Sequence, residues 1–236
     1  MLKNPKIKAI GIGSYGHDVV DILAKNNLKY VEFCKLNNYK SDDYTEILDD
    51  ANIVFLIVDT FDEKSKNIAY NLTKNTKQKG ILTLAFLSCK IDQLTQSVDS
   101  YTIFDFQSND LLDNIIPIVK CITYTILEAH MIYVEMDDIK KLIKNSGQMN
   151  AFFGCGSSLE MDSGVTILKA SLDTKLIKNA KKILFFVVGS PDIALCQDEK
   201  VAEYIKSIAS NNAEIVFGAS YDKNLNDEMQ ITILTI

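Results

Sequence analysis

Two stretches of this 236-residue chain carry residue types at spacings that could do chemistry. Gly11-Ile12-Gly13-Ser14-Tyr15-Gly16 fits the pattern G-x-G-x-x-G, with Asp18 just beyond it. Glycines there let backbone N–H groups approach a phosphate closely, and a helix opening at that point adds its positive dipole end. The second is Asp59-Thr60-Phe61-Asp62-Glu63, which follows an apolar run. Thr60-x-x-Glu63 reads as a capping box, in which the threonine hydroxyl takes a helix-start N–H and stabilises the helix by about 1 kcal/mol.

Each stretch also has a plain structural reading. His17 reads as a surface residue at a helix start. Asp137 and Asp138 would cap a helix over Ile139–Lys144. The dinucleotide form of the glycine pattern needs an acid at the end of the second strand, for a ribose. That strand ends Leu36-Asn37-Asn38, with Glu32 inside it, so an enzyme using this loop for a nicotinamide or flavin cofactor is a minor alternative.

The elements that must position these residues alternate in the first half. Ile7–Ile12, Tyr30–Leu36, Asn52–Val58, Gly80–Leu87 and Tyr101–Phe106 read as strands. A helix follows the glycine turn, Ser41 can cap a short one over Tyr44–Leu48, and Asp62–Thr76 reads as a third. Buried apolar strands separated by helices of this length predict a parallel sheet covered on both faces. Leu111 to Met131 is apolar nearly all round, which predicts a buried central helix that starts or kinks at Pro117. Beyond it come a helix at Asp138–Lys144 and strands at Met149–Cys155, Lys182–Val188, Ala213–Ala219 and Met229–Ile236. Helices fall over Val165–Leu176 and Lys200–Ser210. This half predicts a smaller α+β domain with a four-stranded mixed sheet.

Composition narrows the partners. The net charge is −6, which argues against a general nucleic-acid binder. All 25 basic residues are lysine. Without arginine there is no bidentate fork for phosphate, leaving backbone N–H groups or lysine. Lys140, Lys141, Lys144, Lys175, Lys178, Lys181 and Lys182 read as solvated helix faces rather than an anion site. The apolar runs are too short for a membrane span and the first ten residues lack the apolar core of a signal peptide. Five cysteines with no CxxC pair read as small buried apolar residues in a reducing cytoplasm, with neither disulfide nor metal site.

Particular segments resemble FtsZ, the bacterial tubulin homologue. Ile7-Lys8-Ala9-Ile10-Gly11-Ile12-Gly13, then Val31-Glu32-Phe33, and Ala51-Asn52-Ile53-Val54-Phe55-Leu56 are similar to its opening. Asn212 to Ala219, Asn226-Asp227-Glu228 and Ile231-Thr232-Ile233 are similar to its carboxy-terminal domain, and Gly189, Pro191 and Asp192 to the turn before it. The resemblance covers most of the chain, in order, with deletions. It implies a tubulin/FtsZ-like α/β architecture: a GTPase-type domain over 1–109, a central helix over 110–131, and a C-terminal domain over 132–236.

The departures fall where the family holds GTP. Its glycine-rich loop GGGTGTG stands where this chain has Asp59 to Asn67, without a glycine. Side chains there obstruct close backbone approach, and at 4 Å near the surface each carboxylate–phosphate pair would cost on the order of 4 kcal/mol. Lys64, Lys66 and Mg²⁺ could offset part of that. A second phosphate loop of the family, between Asn37 and Ala51, has no room here. His17 and Asp18 replace a glycine and an asparagine. In the family's water-activating loop Asp138 matches the second acid, Glu135 replaces the first and Tyr133 replaces an asparagine.

The expectation is therefore an FtsZ-like assembly or scaffold protein with a degenerate GTP site and no GTPase activity. The weakly retained nucleotide contacts would be Gly11, Gly13, Ser14, Gly16 and Asp18. No cofactor or metal is expected, and the partner would be a second copy or an active FtsZ relative, without membrane insertion. The alternative is a working GTPase that binds GTP with Mg²⁺ and uses Glu135 and Asp138 at subunit junctions. The family's tail and docking peptide have no counterpart after Ile236, so recruitment through them is not expected.

Overall fold

Alternating apolar strands and amphipathic helices build the first of two units in the computed structural model. The structure describes residues 5–26, 28–37, 43–104, 110–127, 130–132, 134–160, 162–190 and 195–236. The first unit comprises Met1–Val119 and Ile143–Met149. Its elements run β1 (Lys6–Ile12), α1 (Gly13–Lys25), β2 (Val31–Leu36), α2 (Asp43–Ile47), β3 (Ala51–Val58) and α3 (Glu63–Lys79). Then come β4 (Leu82–Leu87), α4 (Asp92–Thr95), β5 (Ser100–Ile103) and the start of α5 (Asp110–Leu127).

Six strands pair in the order β2-β1-β3-β4-β5-β7, where β7 is the short strand Gly147–Gln148. Every pairing is parallel. The two central strands, β3 and β4, are apolar apart from Asn52 and Thr83, since both faces of a parallel sheet are covered by crossover helices. Every residue of β3 except Asn52 is buried. The order reverses between β1 and β3. Crevices at such a switch point, beyond the carboxyl ends of the strands, are where open α/β sheets bind ligands. The glycine loop after β1 and the acidic loop after β3 both open there.

The second unit comprises Lys120–Leu142 and Asn150–Ile236. It holds the end of α5, β6 (His130–Ile132), α6 (Met136–Ile143), β8 (Asn150–Ser157), α7 (Ser163–Ser171) and α8 (Thr174–Asn179). β9 (Lys182–Gly189), α9 (Leu195–Ile208), β10 (Glu214–Tyr221) and β11 (Glu228–Thr235) complete it. The expected mixed sheet is present as β10-β9-β11-β8: β9 and β10 are parallel, and β11 is antiparallel to both β8 and β9. The three-residue β6 adds an antiparallel edge beside β10. One face packs Ile183, Phe185, Val187, Ile231 and Ile233 against α7 and α9 residues including Ile167, Val201 and Ile205.

Local chemistry explains where element bounds differ from the sequence reading. The helix read over Val165–Leu176 is two helices, because Asp173 leaves helical geometry and caps α8, accepting a hydrogen bond from Lys175 N at 2.9 Å. The central helix starts before Pro117, continues through it and ends at Leu127, before β6. Gly80, read as the start of a strand, closes α3 in the left-handed conformation at φ 69°, which glycine adopts without a Cβ clash. Asp137 and Asp138 lie inside the first turn of α6, which begins at Met136, instead of capping it. The Ser41 cap, Tyr133, Pro191 and Asp192 lie outside the described residues.

Of the cysteines, Cys121 is buried and Cys34 and Cys89 are half-buried, but Cys155 is exposed, against the expectation of burial. It stands on β8, an edge strand. Burial pushes the Cys121 thiol up to about 12. Lys182 is tied down, its Nζ donating to the carbonyls of Lys141 and Leu142 at the end of α6. No helix among the described residues is long and apolar enough to cross a membrane.

Candidate functional site

Two helices start side by side at the switch point, and a cleft opens between them. It is lined by Gly13, Ser14 and His17 of α1, Leu36 and Asn37 after β2, and Asp59, Asp62, Lys64, Ser65 and Ile68 around the start of α3. Its volume is about 200 Å³, below the roughly 300–1,000 Å³ of most small-molecule sites.

The α1 side is open. Ile12 occupies the N-cap position in extended conformation and supplies no side-chain hydrogen bond, and no acid sits in the first turn. The first N–H groups of a helix have no intrahelical partner, and the N-cap side chain of α1 takes none of them. Gly13 takes φ +78°, which a side chain would strain. The space above it is filled from the α3 side: a Cβ at Gly13 would lie 2.5 Å from Ser65 Oγ and 2.7 Å from Asp59 Cβ. The other two glycines serve packing. A Cβ on Gly11 would meet the Gly16 carbonyl at 2.2 Å, and one on Gly16 would meet the Ile57 carbonyl at 2.6 Å. Glycine at these positions lets α1 lie directly on β1 and β3.

The α3 side is closed by its own chain. Asp62, not Thr60, is the N-cap. Its carboxylate accepts from Ser65 N at 2.8 Å, Ser65 Oγ at 2.6 Å and Lys64 N at 3.4 Å. The Ser65 hydroxyl first, then the Ser65 and Lys64 N–H groups, hold that carboxyl below the usual aspartate range. Thr60 is engaged elsewhere. Its N–H donates to Ser88 Oγ at 2.9 Å, and its Oγ1 accepts from Cys89 N at 2.7 Å. This ties the end of β3 to the end of β4. Asp59 Oδ1 accepts from Phe61 N at 3.1 Å, a local turn that leaves the Phe61 ring 70% exposed. Glu63 pairs with Lys66 at 2.6 Å.

The remaining sequence candidates divide. Ser14 is exposed at the mouth of the cleft, whereas Asp18 is exposed and does not line it. His17 is half-buried rather than a free surface residue: its Nε2 lies 3.1 Å from the Leu36 carbonyl. A carbonyl only accepts, so Nε2 carries the proton and the ring ties α1 to the end of β2. Glu135 and Asp138 belong to the second unit. Glu135 is exposed, and its carbonyl accepts from Asp138 N at 3.0 Å; Asp138 is half-exposed, 3.7 Å from Lys141 Nζ. Acids in the first turn of α6 are favoured by its dipole whether or not they act on a ligand. Among the described residues no group of three or more His, Cys, Asp or Glu side chains could hold a metal ion.

Ser65 and the Leu36 carbonyl were not singled out from the sequence, and Lys64 was read only as a partial charge offset. The Asp62–Ser65 spacing was a usable signal, since aspartate is a better N-cap than threonine. The Leu36 carbonyl carries no side-chain signal at all.

Comparison with known proteins places this geometry. A family model described as the C-terminal domain of the FtsZ family matches residues 150–236. Cell division protein FtsZ of Wigglesworthia glossinidia brevipalpis is 26% identical over 226 residues, which cover 80% of this chain and 58% of that protein, so the chain spans little more than half of that relative. FtsZ of Buchnera aphidicola subsp. Baizongia pistaciae is 23% identical over 302 aligned positions, covering 98% of this chain and 78% of that protein. Among solved structures, an empty FtsZ dimer of M. jannaschii superposes with a TM-score of 0.80 at 18% identity, over 99% of this chain and 88% of its own. CetZ1 from Haloferax volcanii, a GDP-bound monomer, gives 0.65 at 12% identity, over 98% and 93%.

Proposed function

From its place in the FtsZ/tubulin superfamily, to which this chain belongs, we propose that it is an FtsZ-like assembly or scaffold protein of cell division or cytoskeletal organisation, with a degenerate GTP site and no GTPase activity. The observation that carries this reading is the Asp62 carboxylate seated on the N–H groups of Lys64 and Ser65. A phosphate approaching this helix start would have to displace an anion already hydrogen-bonded there, with Asp59 beside it. The filled space above Gly13 and the small cleft support the same reading. Its partner would be a second copy or an active relative, joined through tubulin-like contact faces. The M. jannaschii relative is described as a dimer while empty, which supports contact without nucleotide.

Two observations favour a second reading, a working GTPase using GTP and Mg²⁺ with Glu135 and Asp138 as its acids. The start of α1 is uncapped, and Lys64 lines the same cleft. Titration with a fluorescent GTP analogue and Mg²⁺, with sedimentation in the presence and absence of GTP, separates the two. The expected result is no micromolar binding, and pelleting that is independent of GTP and abolished by Asp138→Lys. Micromolar binding with GTP-dependent pelleting would replace the scaffold reading by the second.

A further inference from the structure

Asp198 stands where an apolar residue would be expected. It lies in the first turn of α9, on the same face as Val201, Ala202 and Ile205, at the i, i+3, i+4, i+7 spacing of a buried helix stripe. Only 2% of its surface reaches solvent, and among the described residues neither carboxyl oxygen has a hydrogen-bond partner. The neighbouring packing is tight. A Cβ on Gly164 of α7 would lie 2.4 Å from Val201 Cγ2, so the two helices touch one turn beyond Asp198. The α9 stripe continues into the cluster formed with Ile167, Leu168, Met229 and Ile231.

Among the described residues no counter-charge serves this carboxyl. The charged groups on α9 itself are Glu199, Lys200, Glu203 and Lys206, and those on or beside the elements that share its core are Asp162 and Lys169 at α7, Asp173, Lys175 and Lys178 at α8, and Glu228 at the start of β11. Lys200 is bound to Asp162 at 2.7 Å across the rim, and Lys169 lies over the Tyr204 ring. None of them makes a hydrogen bond or ion pair with Asp198. A buried, unpaired carboxylate is costly, and the usual escape is to take up a proton or to reach water.

We propose that Asp198 is a proton-dependent latch: its neutral carboxyl lets the first turn of α9 lie against α7, and its carboxylate drives that turn out to water. Burial pushes this carboxyl up from its ordinary 3.8 to about 6. The opened turn titrates at the ordinary value. Between 3.8 and about 6 the docked state therefore holds a proton that the open state has lost, and raising the pH through that window favours opening. The window spans about two pH units, which is about a hundredfold in the docking equilibrium. Above it the bias is complete and constant. Local opening of this kind is drawn from the least stable part of a fold.

The test uses the full chain. Carbon-13 NMR of the Asp198 carboxyl in the wild type should give a midpoint near 6; a midpoint below about 4.5 overturns the proposal. Amide hydrogen exchange over 198–208, corrected for intrinsic rates, should show protection falling by up to a hundredfold from pH 4 to pH 7. In Asp198→Asn, which keeps the shape and removes the charge, that dependence should vanish. A wild type with flat protection, or an asparagine variant with the same pH dependence, overturns the latch. The carboxyl titration and the exchange profile of the wild type together decide the question even if the variant does not fold.

Discussion

α1 and α3 start at the ends of adjacent parallel strands, on the two sides of one cleft, and they end their strands in opposite ways. α1 opens on glycine, with no side-chain cap and no acid in its first turn. α3 opens on Asp62, whose carboxylate already holds two N–H groups and a hydroxyl. An uncapped helix start is a ready anion site, and a capped one has used its donors on its own chain. The pair therefore separates what a glycine loop needs for packing from what it needs for a ligand. Gly11 and Gly16 are required by the contact of α1 with its sheet, whatever binds above them. G-x-G-x-x-G in this chain accounts for a close helix–strand approach before it accounts for any phosphate.

The largest effect should come from breaking the packing role. In Gly16→Ala the new Cβ meets the Ile57 carbonyl on central β3 at 2.6 Å. Alanine gains about 1 kcal/mol of helix propensity over glycine, yet a backbone clash in a packed core outweighs it, and overpacking of this kind costs about 1–3 kcal/mol. Urea unfolding should show a net loss of about 2 kcal/mol. Gly80→Ala is the matching control: nothing lies within 4 Å of its Cβ, and only the left-handed φ is strained. It should cost about 1 kcal/mol. Equal losses at the two positions would mean that α1 does not depend on close approach.

A smaller effect should come from making the start of α3 resemble that of α1. Asp62→Ala removes the cap, and the melting temperature should fall by about 2–4 °C. The same change frees the N–H groups of Lys64 and Ser65 and removes a negative charge from the cleft. Inorganic phosphate or a nucleoside triphosphate, measured by calorimetry, should then bind more tightly than to the wild type. Unchanged binding would mean that the cap is not what closes the cleft.

Much of this contrast could be read from residue order alone, and the exceptions share one cause. The strands at 6–12, 51–58 and 82–87 and the helix after Asp62 follow from local periodicity, so their positions were legible to within a few residues. The absence of glycine from the β3–α3 loop was equally plain. The identity of the cap was not, because Thr60 is drawn off by Ser88 and Cys89, 28 and 29 residues away, across β3 and β4. His17 was misread for the same reason: its partner is a backbone carbonyl 19 residues on, brought beside it by parallel pairing. Gly147–Gln148 is too short to show a period and is a strand only because β5 lies beside it. Capping spacing is a local rule, and these residues answer to neighbours that only the sheet supplies.

The smallest effect separates the two helix starts by pH. Hydrogen bonds from Ser65 and from the α3 N–H groups lower the Asp62 pKa in the folded protein, below its unfolded value near 3.8. The folded state thus favours the carboxylate, and the resulting stability is fully present above the unfolded value. It is lost as the pH falls through the folded value, where the cap must take up a proton in both states. The start of α1 has no acid in its first turn and contributes no such acid limb. Melting temperatures of the wild type should therefore show no pH dependence from this cap between pH 7 and 5, where its contribution is complete, and should lose that contribution below pH 4. In Asp62→Asn the cap still accepts through its amide oxygen but no longer titrates. The difference in melting temperature between the two proteins should be constant above pH 5 and shrink below pH 4. A difference that stays constant down to pH 2 would show that the carboxylate charge adds nothing to the cap, and that the two helix starts differ in geometry alone.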